Sequence, residues 1–301
     1  MHQPFEGRSW TDSARMVEDM GFSTLFVPDH FTTQFAPIVS LAAAAAVTTT
    51  LKVGALVFGN DYRHPVELAK EMATLDVVSE GRLEFGLGAG WMRTDYDQAG
   101  ITYDTPGTRI ERMQESLDII RKCWAGEPFD YAGEHYTIAG YDGFPRPHTP
   151  GGPPVIVGGG GPRMLGVAAR NGDIVGITAN LRAGEVGPDA TKDSMPDAYD
   201  AKVARVREVA GDRIDDIELS SLTMSTIITD DQAGATAGMA ELFGQPAEAV
   251  AASPALLIGS VDEIAETLIE RRERWGFSYV VVQDDGTQEA FAEVAVRLAG
   301  T

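Results

Sequence analysis

Residues 65–91 read PVELAKEMATLDVVSEGRLEFGLGAGW. Proline has no backbone N–H and a φ suited to the first helical turn, so Pro65 opens a helix. Leu68, Met72, Leu75 and Val78 then recur at helical spacing, and the short run 82–90 that follows reads as a strand ending in glycines. A helix leading straight into a short apolar strand is the unit of a parallel sheet covered on both faces.

Working outward, the same unit repeats. Upstream stand a helix at 9–20 with Ser9 as N-cap, the strand TLFVPDH (24–30), an alanine-rich helix (37–49) and the strand LKVGALVF (51–58). Downstream come a helix at 106–125, a strand at 153–159, a helix at 162–170 and a strand at 173–180. The tail adds a helix at 196–210, a strand at 217–229, helical segments within 231–252, a helix at 260–275, a strand at 278–284 and a helix at 287–298. Ser260 with Glu263 forms a capping box, and Gly276 stands where a helix C-terminal glycine belongs. Seven such strands in one chain favour an α/β fold of the TIM-like (β/α)8 barrel type with insertions, residues 1–301 forming a single domain. An eighth strand should precede the first helix, where only the polar MHQPFEGR stands. The first strand is therefore expected to be short or missing, either a stub or the remnant of a chain that starts upstream. Stretches 91–105, 126–152 and 181–195 read as loops, the middle one with an inserted hairpin. Loops after barrel strands are where sites are built.

Composition narrows the function. The 301 residues are 44% hydrophobic and 23% charged, which are globular values that exclude disorder and coiled coil. No apolar run is long enough to span a bilayer and the N-terminus lacks a signal peptide's pattern, so a cytoplasmic protein with no membrane partner is expected. A net charge of −21 argues against nucleic acid and anionic lipid. The first 180 residues carry net −8 and the rest −13, so an anionic ligand should prefer the first part, provided a few arginines are focused on it. The one cysteine, Cys123 in LDIIRKCWAG, reads as an inert, half-buried helix residue. No His/Cys/carboxylate cluster has metal-ligand spacing, and no hydrolase signature is visible.

Four strand ends carry candidate chemistry. Asp29 and His30 end the strand in VPDH; Asn60, Asp61, Arg63 and His64 follow the next in FGNDYRHP; Gly88, Ala89, Gly90 and Trp91 end GLGAGW; Gly158, Gly159, Gly160 and Gly161 with Arg163 end VGGGGPR. Four glycines let backbone approach a ligand, and the helix opened by Pro162 points its free N–H groups back at them, which makes an anion cradle best suited to phosphate. A tight turn is the plain alternative. His30 can give or take a proton near neutral pH, or serve as a simple hydrogen-bonder. For Asp29 the plain alternative is a cap, and for Arg63 and His64 a solvated turn before the Pro65 helix. Trp10 and Trp91 read as core or rim aromatics.

Taken together, VPDH, GNDYRHPVELAKEMATLDVVSEGRLEFGLGAGW, RIERMQESLDIIRKCW, YAGEHYTI before PRPHTPGGPPVIVGGGG, and AARNGDIVG resemble the luciferase-like superfamily, and within it the coenzyme F420-dependent oxidoreductase branch. The resemblance runs from residue 8 to about 180 and is loose beyond. It implies a TIM-like barrel, usually dimeric, binding a flavin or deazaflavin at the C-terminal ends of the strands. It implies Asp29 and His30 at the cofactor ring with His30 as proton donor or acceptor, Gly88–Gly90 beside the cofactor side chain, and Gly158–Gly161 as the phosphate loop. It also implies a bulge with a non-prolyl cis peptide near Asn60. The expected activity is hydride transfer between F420 and a small organic substrate. FMN-dependent monooxygenation and a non-catalytic flavin or F420 carrier are the alternatives; a glycosidase barrel is disfavoured because no two carboxylates can be assigned to facing strand ends.

Overall fold

The computed structural model describes residues 1–283 and 286–300. The chain divides into two compact units, Met1–Asp19 with Ser23–Val157, and Met20–Phe22 with Gly158–Thr301.

The first unit follows the helix-strand alternation: α1 (Trp10–Asp19), β1 (Thr24–Val27), α2 (Pro37–Ala45), β2 (Lys52–Ala55), β3 (Phe58–Gly59), α3 (Pro65–Val78), β4 (Leu83–Gly88), α4 (Arg93–Ala99), α5 (Pro106–Ala125), the hairpin β5 (Phe129–Ala132) and β6 (Thr137–Tyr141), and β7 (Val155–Gly159). β1, β2, β4 and β7 are parallel neighbours in that order, with Leu25 opposite Val53, Val53 opposite Leu83 and Phe85 opposite Val155. Their buried faces meet the helix stripes: Val27, Val53, Phe85, Leu68, Met72 and Leu117 are all shielded from solvent. Gly86 is required by strand spacing, because a Cβ there would lie 2.1 Å from the Ala55 carbonyl oxygen.

Several boundaries differ from the sequence reading, each for a local reason. The expected strand 51–58 is two pieces on either side of a cis Leu56–Val57 peptide; β3 pairs separately with β4, Phe58 opposite Leu87. That cis bond lies four residues before Asn60. α2 stops at Ala45 rather than 49. The N–H groups of Thr49, Thr50 and Leu51 donate instead to the Glu18 carboxylate at 2.8, 2.6 and 2.9 Å, which turns the chain into β2. Residues 91–105 contain α4, a helix whose sequence RTDYDQA has no apolar period to announce it. The hairpin of 126–152 is present and pairs only with itself. Glu115 on α5 accepts the N–H groups of Glu134, His135 and Tyr136 at its turn. Residues 1–9 hold no strand. The Met1 amino group donates to the Phe26 carbonyl, and the Phe35 N–H donates to the His2 carbonyl at 2.9 Å.

The second unit contains α6 (Pro162–Asn171), β8 (Ile174–Ile177), α7 (Pro188–Lys192), α8 (Pro196–Ala210), β9 (Glu218–Thr223), β10 (Ser225–Ile228), α9 (Gln232–Phe243), α10 (Ala247–Ala251), β11 (Leu256–Gly259), α11 (Val261–Trp275), β12 (Phe277–Val282) and α12 (Gln288–Leu298). β8, β9 and β12 are parallel neighbours. The single strand expected at 217–229 breaks at Met224, whose N–H donates to the Ala255 carbonyl at 2.7 Å. Its second half, β10, then pairs with β11, a strand absent from the sequence reading. The loop 181–195 contains α7. The Ser260–Glu263 capping box and the left-handed Gly276 cap are both in place. Asp284, the last residue of the strand expected at 278–284, lies outside the described residues. Among the described residues no helix is long and apolar enough to cross a membrane.

Candidate active site

Asp29 and His30 follow β1 and Pro28, which places them at that strand's C-terminal end. Asp29 is 6% exposed. Its Oδ2 accepts the Gly59 N–H at 3.0 Å, and Arg63 donates to both carboxylate oxygens at 2.5 and 3.0 Å. The Arg63 guanidinium also lies 5.3 Å from the centre of the Phe58 ring. Arg63 is therefore no solvated turn residue: a buried carboxylate needs a partner, and this arginine is it. His64 is the N-cap of α3, its Nδ1 accepting the Val66 N–H at 3.3 Å.

His30 Nδ1 lies 2.6 Å from Oδ2 of Asp95 on α4. Asp95 is 1% exposed; its Oδ1 accepts the Phe31 N–H at 3.0 Å and its Oδ2 the Tyr62 hydroxyl at 3.2 Å. An ionised carboxylate can only accept, so Nδ1 is the donor in this contact. Trp91 meets the His30 ring edge-on with centroids 5.6 Å apart, while Trp10 is a core residue that donates to the Ser40 carbonyl at 2.7 Å. Burial, then the Asp95 charge, push the Tyr62 phenol far above its usual range, and burial with Asp61 does the same to Tyr96. Both hydroxyls thus stay protonated and donate.

Asn60 opens a single 3-10 turn, Asn60–Tyr62, and is 2% exposed. Beside it Asp61 accepts from Tyr96 at 3.0 Å and pairs with Arg112 at 2.9 Å; Arg112 also reaches Asp104. Gly88 and Gly90 are glycine for space: a Cβ would come within 2.6 Å of Val57 at the first and 1.9 Å of the Tyr96 hydroxyl at the second, where φ is +74°. Ala89 between them is half-buried.

In the second unit Gly158–Gly161 lead into α6 without a positive φ among them. Their smallness has local causes. A Cβ on Gly160 would lie 2.3 Å from the Ala179 backbone carbon, and one on Gly159 would lie 2.4 Å from Met164. Gly161 is different, its nearest neighbour being the Asn180 side chain at 3.5 Å. It is the N-cap of α6 and supplies no side-chain cap, so the first N–H groups of that helix and its positive dipole end face outward with Arg163 in the first turn. Asp193 steadies the facing loop by accepting the Asn180 N–H at 2.6 Å, and Lys202 donates to the Thr178 carbonyl at 2.9 Å and pairs with Asp193 at 2.6 Å. A cavity of about 370 Å³ bounded by Ile228, Asp230, Ser260 and Arg297 contains none of these residues and no convergent acid/base pair.

The sequence profile of the luciferase-like monooxygenases matches residues 2–275. The chain belongs to that family. A 5,10-methylenetetrahydromethanopterin reductase of Archaeoglobus fulgidus is 32% identical over 167 residues, 55% of this chain and 48% of the relative. An F420-dependent glucose-6-phosphate dehydrogenase of Amycolatopsis mediterranei is 26% identical over 226 residues, 72% of this chain and 66% of the relative. The matched stretches thus span about half to two thirds of those relatives. Among solved structures, the coenzyme F420-dependent tetrahydromethanopterin reductase of Methanopyrus kandleri superposes with a TM-score of 0.74 at 21% identity, covering 96% of each chain. A monooxygenase of Streptomyces bottropensis gives 0.71 at 20% identity, over 96% of this chain and 93% of that one. These likenesses show the fold, and the α/β TIM-like class expected from the sequence is the class found.

In this luciferase-like chain the residues expected to act fall into two sets. Asp29, His30, Asn60 and Gly88–Gly90 gather in the first unit at strand C-terminal ends; Gly158–Gly161 and Arg163 stand at the start of α6 in the second. The sequence reading missed Asp95 and Tyr62, and of its two readings of Arg63 the solvated turn is the one the Asp29 pair overturns. Asp95 sits in a polar stretch where nothing in residue type or spacing distinguishes it from Asp97, which pairs with Arg93 on the exposed side of the same helix.

Proposed function

We propose that this luciferase-like enzyme is an F420-dependent oxidoreductase that moves a hydride between the deazaflavin and a small organic substrate, working as a cytoplasmic homodimer. The observation that carries the reading is the His30–Asp95 pair: an imidazole at a strand's C-terminal end whose Nδ1 lies 2.6 Å from a buried carboxylate. The resident residues fit such a cofactor. The uncapped start of α6 after Gly161 offers backbone donors and dipole to a phosphate, and the backbone there is bare of side chains. When bound, a 5-deazaflavin supplies a carbon that exchanges hydride as an electron pair and reacts poorly with oxygen. His30 Nε2 takes or gives the proton that accompanies that transfer. The Asp29–Arg63 pair holds Gly59 and the turn after β3 in place, and Asn60 with Gly88–Gly90 is assigned to the cofactor on the same footing. Supporting F420 are the dehydrogenase and reductase relatives named above.

Equilibrium titration of the purified chain tests it. F420, followed by its own fluorescence, should bind more tightly than FMN. Preferential FMN binding with oxygen consumption in the presence of reduced flavin would replace this reading by flavin monooxygenation; tight binding of either without turnover would make the chain a carrier.

A further inference from the structure

Asp95 does more than touch His30. Its two oxygens are committed to different partners: Oδ1 takes the Phe31 backbone N–H at 3.0 Å, while Oδ2 takes His30 Nδ1 at 2.6 Å and the Tyr62 hydroxyl at 3.2 Å. The backbone donor is fixed by the chain, so it settles which oxygen is which. Tyr96, the next residue of α4, donates to Asp61 at 3.0 Å and meets Tyr62 and Tyr103 edge-on at centroid distances of 5.5 and 4.9 Å. One short helix is thereby tied to the loop after β1 through Asp95 and to the turn after β3 through Tyr96. The side chain of Asp95 is 1% exposed and cannot swing into water, whereas that of His30 is 22% exposed.

We propose that Asp95 is the positioning residue for His30: it holds the imidazole as the Nδ1–H tautomer, so that Nε2 is the atom presented for proton transfer. Only the kinetic consequence rests on the function proposed above; the tautomer does not. The substitution D95N has a particular outcome because of Phe31. Its amide oxygen is expected to stay on the Phe31 N–H, since the opposite flip sets two donors against each other and loses both hydrogen bonds. The NH2 group then faces His30 Nδ1 and can only donate. Nδ1 becomes the acceptor, the proton moves to Nε2, and the atom meant to receive a proton already carries one. The same exchange at a His–Asp pair of serine proteases lowers turnover about 10⁴-fold through the wrong tautomer.

The test is NMR of the full chain labelled with ¹⁵N-histidine, at about pH 8.5 and so above the usual imidazole range. His30 is identified among the five histidines by the signals missing from H30A. Wild type should show a protonated Nδ1 and a bare Nε2 at His30, D95N the reverse, and D95E the wild-type pattern. A wild-type His30 with its proton on Nε2 overturns the proposal even if neither Asp95 variant folds, and so does a D95N spectrum that keeps the wild-type tautomer. This measurement needs no cofactor, so it stands or falls apart from the F420 titration. In the kinetic arm D95N should retain its F420 dissociation constant within about threefold while turnover at saturating F420 falls roughly 10²- to 10⁴-fold, the usual contribution of a positioned acid or base.

Discussion

Arg63 grips both carboxylate oxygens of Asp29, Nη1 on Oδ2 at 2.5 Å and Nη2 on Oδ1 at 3.0 Å, and the Gly59 N–H completes the carboxylate's shell. The Asp29 side chain is 4% exposed and that of Arg63 20%, so removing the arginine leaves a charge that water reaches poorly. R63A should therefore cost about 2–4 kcal/mol, at or just below the range for breaking a buried pair because Arg63 is partly wet. R63K should cost less but lose the two-pronged grip. Urea unfolding midpoints measure this, and an unchanged midpoint for R63A would show that the pair holds nothing in place.

The glycine loop separates packing from anion binding at neighbouring positions. At Gly160 any side chain meets backbone, so G160A should lower stability whatever binds there. Gly161 has φ −82° and room for a Cβ. Aspartate is also a good N-cap, so G161D should leave stability equal or raise it by a few tenths of a kcal/mol. The same carboxylate would repel a phosphate at the start of α6. Weakened F420 binding with an undiminished melting temperature is the expected pair of results; unchanged affinity would take the loop out of the cofactor site.

His30→Ala should lower turnover roughly 10²- to 10⁴-fold while leaving most cofactor affinity intact. A panel of small alcohols, aldehydes and ketones, each followed by F420 fluorescence, supplies the substrate for this measurement. If affinity falls while the rate at saturation holds, His30 is a binding residue.

Glu18 should make stability depend on pH. Burial acts to raise its pKa, but the N–H groups of Thr50, Leu51 and Thr49 and the Thr50 hydroxyl outweigh it and hold the carboxylate at about 2 against an ordinary 4.5. A pKa lowered by folding stabilises the native state fully above the unfolded value, and the gain is lost as the pH falls through the folded one. Wild type should exceed E18Q by roughly 1–2 kcal/mol at pH 7, discounted for partial exposure, with the difference shrinking between about pH 4.5 and 2. Paired denaturation curves at several pH values would refute this by showing a constant gap.

Cys123 is 3% exposed, and burial pushes its thiol up to about 11. The native protein should leave a thiol reagent such as DTNB unconsumed at pH 8, with one equivalent reacting on denaturation.

What the sequence made legible were features written by neighbouring residues. The Pro65 helix, the Ser260–Glu263 box and the Gly276 cap each depend on a few contiguous residues, and each stands where the residue types placed it. Long-range choices were hidden. Nothing in IELSSLTMSTIIT reveals that the chain changes sheets at Met224, because both halves are equally strand-like and the partner Leu256–Gly259 is 31 residues away. At the site, His30 could be singled out by its place after a strand. Its partner Asp95 is 65 residues distant in a run of ordinary polar residues, and only the fold tells it from a solvated acid.

The hairpin Phe129–Tyr141 makes every ladder bond with itself, and one carboxylate, Glu115, seats its turn on the long helix below by taking three successive backbone N–H groups. This socket reads three backbone N–H groups and a glycine at 133, where a Cβ would lie 2.2 Å from Glu115 Oε2. An inserted segment that keeps that glycine turn could be plugged into it without disturbing one register of the parallel strands. For a catalytic scaffold this is a place where new surface can be tried, by mutation or by grafting, at no expense to the frame that holds the chemistry.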